Sequence, residues 1–236
     1  MAPTVVLVHG AFAENSSWDG VIDPLKDQGF EVIAAANPLR GLASDAATIS
    51  DVVASIDGHV ILVGHSYGGM VVTNVRADAG KIAGVVYIAA FAPDAGESAF
   101  SLAGLFPGST LGDAVKPVPR SDGTTDLYIE PAKFHDQFAA DLAPEQTRRM
   151  AITQRPVTQE ALLEPSGDRP LWREVPSWFL FGELDRNIPA ALEHHMAERC
   201  QAKRAIEVPG GSHAVGVSHP VATAHLITEA AAVYAA

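Results

Sequence analysis

The strongest chemical signature in the chain is Gly64-His65-Ser66-Tyr67-Gly68-Gly69. It follows the apolar run Val60-Ile61-Leu62-Val63 and precedes a helix-like pattern. This is G-x-S-x-G in a strand–turn–helix setting, the arrangement that exposes a serine as a nucleophile. The glycines have a steric reason. The turn forces Ser66 into an unfavourable backbone region, and a side chain at position 64 or 68 would strike the adjoining strand or helix. Ser66 Oγ then stands at a helix N-terminus, where the dipole favours developing negative charge.

A serine hydroxyl is a weak nucleophile and needs a general base. Of nine histidines, His9 and His65 lie within glycine motifs, His59 starts a strand, and His135 lies in a central irregular region. His194, His195 and His225 fall on predicted helices, where solvated side chains are expected. His213 and His219 remain, in the loop Pro209-Gly-Gly-Ser-His-Ala-Val-Gly-Val-Ser-His-Pro220. Loops at the carboxyl ends of parallel strands meet in one crevice. His213, beside glycines, is the preferred base, and His219, next to Pro220, is the alternative. An orienting carboxylate should lie between serine and histidine in chain order. Asp185, after the apolar run Ser177–Gly182, is the first choice, followed by Asp94 and then Glu183.

The oxyanion of such chemistry needs two backbone N–H donors. One is expected from Tyr67, directly after the nucleophile. The other is expected from the loop His9-Gly10-Ala11-Phe12, with Ala11 as donor. Gly10, Phe12, His65 and Phe91 are the expected pocket residues.

These residues need a scaffold, and the apolar pattern describes one. Strands are predicted at Thr4–His9, Phe30–Ala36, His59–Gly64, Ile82–Ala90, Ser177–Gly182 and Arg204–Val208. Helices are predicted at Trp18–Gln28 (N-cap Asn15, Ser16 or Ser17), Ser44–Ile56 (N-cap Ser44), Gly68–Ala79, Pro189–Arg199 and Pro220 to the C-terminus. The strands are apolar throughout instead of alternating, as parallel strands covered on both faces are. The expected fold is therefore α/β, with a six-stranded, mostly parallel, doubly wound sheet. An order of 2-1-3-4-5-6 would put the switch point, where ligands bind, between the strands ending at His9 and at the Ser66 turn.

The alternation breaks between Asp94 and Val175. That region holds half of the 16 prolines and its own aromatics: Phe100, Phe106, Tyr128, Phe134, Phe138 and Trp172. A structureless loop of that length is uncommon in a compact domain. The expected organisation is a core of residues 1–93 and 176–236 with a lid, or cap, inserted at 94–175.

Composition narrows the function. The 236 residues are 47% hydrophobic and 19% charged, enough apolar content for a sizeable core. A formal charge of −12 opposes nucleic acid and anionic lipid. Cys200 is the single cysteine, so it can neither close an internal disulfide nor build a thiolate metal site. A small helix residue is its expected role. There is no signal-like N-terminus and no run of about 18 apolar residues. The expectation is a cytoplasmic chain with no membrane span, in which a homodimer is permitted. No phosphate loop, dinucleotide fingerprint or metal-ligand spacing is present, so neither cofactor nor metal is expected.

Together these motifs resemble the α/β-hydrolase superfamily over nearly the whole chain. Val6-Leu-Val-His-Gly-Ala-Phe-Ala-Glu-Asn-Ser-Ser-Trp18, Asp185-Arg-Asn-Ile-Pro189 and Ser212-His213 with Ser218-His219-Pro220 resemble its plant methylesterase and hydroxynitrile lyase branch. The resemblance implies a triad of Ser66, Asp185 and His213, the oxyanion donor at Ala11, and a mobile lid over an apolar pocket. The lid sequence itself matches nothing in that branch. The branch's lyases carry a hydroxyl-bearing or amide residue at the position of Gly10, and one lyase group carries a lysine at that of Ala214. Both departures favour an esterase. The expected function is thus a serine esterase that cleaves small carboxylic esters through an acyl-enzyme, on a compact apolar acyl or alkyl group. A lyase or a cofactor-free perhydrolase on the same triad, and a non-catalytic ligand-binding module, are the rival expectations.

Overall fold

The computed structural model describes residues 2–76 and 81–235. Nine strands are seen among them: β1 Thr4–Val8, β2 Val32–Ala35, β3 Val60–Ser66, β4 Ile82–Ala90, β5 Val115–Pro119, β6 Thr125–Ile129, β7 Val157–Thr158, β8 Ser177–Gly182 and β9 Arg204–Val208. Six of them form one sheet in the order β2-β1-β3-β4-β8-β9, with every pairing parallel. Counted within the core alone, this is the order 2-1-3-4-5-6. The direction reverses between β1 and β3, where ligands bind in such sheets.

Successive strand residues serve opposite faces, as the pleat requires. Val6, Val8, Leu62, Val85 and Phe179 enter one core with helices Leu42–Ala54, Tyr67–Thr73 and Ala190–Arg199. Val5, Leu7, Ile61, Val63, Val86, Trp178 and Leu180 enter the other with helices Asp19–Asp27 and Pro220–Ala235. Coverage on both faces explains why these strands read as unbroken apolar runs.

The stretch between β4 and β8 is more ordered than its sequence pattern. Strands β5, β6 and β7 make a small antiparallel sheet, accompanied by short helices, among them Ala99–Ala103, Phe134–Phe138, Pro144–Thr153 and Gln159–Leu163. Pro117 and Pro119 sit within β5, an edge strand, where a missing N–H is tolerated. Two helix boundaries also move. The helix predicted at Ser44–Ile56 begins at Leu42, because Glu164, far along the chain, accepts from the Leu42 and Ala43 N–H groups at 2.5 and 3.2 Å. That carboxylate does the capping expected of Ser44. The helix predicted at Gly68–Ala79 runs from Tyr67 to Thr73, and positions 77–79 lie outside the described residues.

Candidate active site

Ser66 closes β3 and precedes helix Tyr67–Thr73 with φ 54° and ψ −124°. A non-glycine residue there carries on the order of 1–3 kcal/mol of strain, and such strain gathers at functional sites. The neighbouring glycines exist because backbone passes where a Cβ would be. A Cβ at Gly64 would lie 2.7 Å from the Gly68 carbonyl oxygen, and one at Gly68 would lie 2.4 Å from that of Val8. Opposite the turn, pairing slips from His65–Ile88 to Ser66–Ala90, leaving Ala89 bulged at φ 43°. Bulges of this kind commonly adjoin active sites.

His213 and Asp185 meet with Nδ1 and Oδ2 2.7 Å apart, both side chains fully buried. The other oxygen, Oδ1, accepts from the Asn187 and Ile188 N–H groups at 2.7 and 2.9 Å. Asp185 is thereby fixed in one rotamer. Its hydrogen bond leaves the proton of a neutral His213 on Nδ1 and the acceptor lone pair on Nε2. Nε2 is buried and finds no hydrogen-bond partner among the described residues. The competing groups are occupied elsewhere. Asp94 takes both oxygens to Arg173 at 2.7 Å, Glu183 accepts from the Gly210 N–H at 2.9 Å, and His219 lies beside Ser218 and Asp141.

The loop after β1 packs directly on this turn. A Cβ at Gly10 would fall 2.6 Å from both Ser66 Cβ and the His65 carbonyl oxygen. Phe12, at φ 60°, donates its N–H to the Arg155 carbonyl at 3.0 Å. No such bond engages the Ala11 N–H among the described residues. The N–H of Tyr67 opens its helix, where the first amides have no intrahelical acceptor. The Tyr67 ring is anchored as its hydroxyl donates to buried Asp45 at 3.0 Å.

A cavity of about 730 Å³ opens against Ser66. Ala11, Phe12, Ser66, Tyr67, Phe91, Asn187 and Ile188 line it from one side, and residues between 99 and 163 make the rest of the wall. None of the lining side chains is charged. The volume suits a drug-sized ligand and exceeds what a compact acyl or alkyl group would need. Gly10 and His65 are absent from this lining. Gly10 lies behind Ser66 as a contact point. His65 lies beneath His213, their ring centroids 4.9 Å apart, and its Nε2 donates to the His213 carbonyl at 3.1 Å. Burial, with the neighbouring His213 second, lowers His65 to about 3, so it stays neutral. His9 is likewise lowered to about 4 by burial, with Nε2 accepting from the Asn37 N–H at 3.2 Å.

Glu193 and Gln137 were not singled out from the sequence. Glu193 follows Asp185 on the next helix and is fully buried. Burial raises it well above the usual carboxylate range and Asp185 adds to the effect, opposed by the Ala90 backbone. Gln137 grips the loop after Asp185, donating to the Arg186 carbonyl and to Asn187 Oδ1 at 2.9 and 2.7 Å. Neither residue carried a local signal, since a glutamate on a helix and a glutamine in an irregular region normally face solvent. Among the described residues, no group of three or more His, Cys, Asp or Glu side chains is placed to hold a metal ion, and no helix is long and apolar enough to cross a membrane.

A doubly wound sheet with a strained serine turn at its switch point and a buried His–Asp pair defines the α/β-hydrolase class. The chain belongs to the alpha/beta hydrolase family, whose model matches residues 5–226. A carbendazim hydrolyzing esterase of Nocardioides sp. is 39% identical over 111 residues, covering 41% of this chain and 46% of that protein. A pyrethroid hydrolase of Sphingobium wenxiniae is 24% identical over 243 residues, covering 95% of this chain and 86% of that one. The crystal structure of polyneuridine aldehyde esterase shares the fold at a TM-score of 0.81, with 19% identity, over 97% of this chain and 99% of that one.

Proposed function

We propose that this chain is a carboxylic ester hydrolase that works through an acyl-enzyme on Ser66. His213 Nε2 takes the Ser66 proton as Oγ attacks the ester carbonyl. Asp185 stabilises the imidazolium, and the Ala11 and Tyr67 N–H groups hold the oxyanion. Collapse of the tetrahedral intermediate breaks the ester C–O bond, and His213 returns the proton to the departing alcohol. Water, deprotonated by His213, then attacks the acyl carbonyl and releases the carboxylic acid and Ser66. The observation that carries this reading is the buried His213–Asp185 pair with Nε2 unengaged, together with a strained serine that opens on a largely apolar cavity. Relatives described as an esterase and a pyrethroid hydrolase support the same chemistry.

In this reading residues 94–175 act as the lid, supplying most of the cavity wall and setting its width. Its size supports esters bulkier than small ones. Gly10 keeps the pattern of the esterases, and any Cβ there would meet Ser66 Cβ and the His65 carbonyl oxygen at 2.6 Å. Purified protein should hydrolyse p-nitrophenyl esters, and Ser66→Ala should lower kcat by about 10⁴-fold or more. Mandelonitrile should not be cleaved. Rapid mandelonitrile cleavage with no ester turnover would assign the site to the lyases, and peroxide-dependent peracid formation would add the perhydrolase activity.

A further inference from the structure

Hydrogen bonding fixes the orientation of one polar group in the largely apolar cavity. The Arg186 carbonyl can only accept, so the Gln137 atom 2.9 Å from it is the amide nitrogen. The Thr110 hydroxyl donates to the other end, Gln137 Oε1, at 2.8 Å. That same nitrogen lies 2.7 Å from the Asn187 side chain, which must therefore turn Oδ1 toward it. Asn187 Nδ2, with two N–H donors, is left pointing elsewhere. No group among the described residues accepts from it, although Asn187 is only 3% exposed and lines the Ser66 cavity. The other polar side chains on the wall differ. Tyr67 donates to Asp45, Ser109 is half-buried, and Gln159 is exposed. Asn187 is thus a largely buried side chain held in one orientation two residues from Asp185, with its Nδ2 donors unpaired and still accessible.

We infer that Asn187 is a specificity-determining residue that donates from Nδ2 to a neutral oxygen acceptor on the substrate, with Gln137 as the residue that positions it. This rests on the ester-hydrolase reading and sharpens it. The favoured substrates are uncharged esters with a second oxygen, of ether or keto type, away from the scissile carbonyl. An unpaired buried donor penalises a purely hydrocarbon substrate, so discrimination comes from both sides.

The test uses p-nitrophenyl hexanoate and its chain-length-matched ether analogues, with the oxygen moved along the acyl chain. A parallel set places the ether in the alcohol of alkyl acetates. Each kcat/KM is divided by the ester's rate of hydroxide hydrolysis to remove intrinsic reactivity. Wild type should favour at least one ether position by about 5- to 10-fold. Asn187→Leu should bring that ratio close to one, and Gln137→Leu should lower it part-way while the hydrocarbon ester is still turned over. No preference at any position in wild type, or a preference that survives Asn187→Leu, overturns the inference. Should Asn187→Leu fail to fold, Asn187→Ala, which also lacks a donor, replaces it under the same criteria. A hydrocarbon ester that wild type leaves intact instead takes down the hydrolase reading together with the inference.

Discussion

Asp185 is the residue whose role the geometry constrains most tightly. One carboxylate oxygen accepts two backbone N–H groups and the other faces His213 Nδ1. Replacing it with asparagine keeps the shape, but the amide NH₂ can favour the wrong imidazole tautomer and cannot stabilise the imidazolium. Asp185→Asn should therefore lower kcat by about 10³- to 10⁴-fold, whereas Asp94→Asn, which loses only its Arg173 pair, should retain kcat within a few-fold. Steady-state kinetics on one ester compares them, and a crippled Asp94→Asn beside an active Asp185→Asn would move the acid to the end of β4. Much of the candidate site was legible at this scale because Ser66, at the end of β3, and Asp185 and His213, in loops, carry glycine punctuation in a known chain order. His65 misled because its motif position says nothing about the direction of its ring. Asn187 lay within the quoted acid loop, but its orientation depends on Gln137, 50 residues earlier in the chain.

Elements follow the same division. Strands of the main sheet could be read because burial on both faces leaves a purely apolar run. The β5-β6-β7 sheet could not, since β5 is largely exposed and carries two prolines, and β7 is two residues long. Helix Leu42–Ala54 shows how tertiary context moves a boundary. Its first two N–H groups are satisfied by Glu164, more than 100 residues away, a cap that local sequence cannot disclose. Glu164→Ala leaves those donors and the helix dipole without that carboxylate. The expected loss is about 1 kcal/mol, or roughly 2–4 °C in Tm for a chain of this size. Calorimetry reads it directly, and an unchanged Tm would show that solvent caps this helix equally well.

For the whole molecule, buried titratable groups shape stability against pH. His9 and His65, lowered to about 4 and about 3, refuse protons that the unfolded chain takes up below about pH 6.5. Each therefore removes stability as pH falls through that window, at about 1.4 kcal/mol per unit where fully developed. Glu193 acts in the opposite sense. Raised by burial, it keeps a proton that the unfolded chain gives up, so its penalty grows as pH rises above the ordinary glutamate range. Glu193→Gln removes that titration. Its stability relative to wild type in urea should increase from pH 5 to pH 8. A difference that stays constant over this range would mean that Glu193 is ionised in the native protein.

Ser66 is proposed here as the activated nucleophile, and covalent labelling tests that role most directly. A fluorophosphonate reacts with a serine only when a general base and an oxyanion hole activate it. Peptide mass spectrometry after labelling should locate one adduct, on Ser66, formed rapidly in wild type and lost in a folded His213→Ala variant. An unmodified Ser66 in native protein, or an adduct on Ser212 or Ser218 instead, would contradict the account.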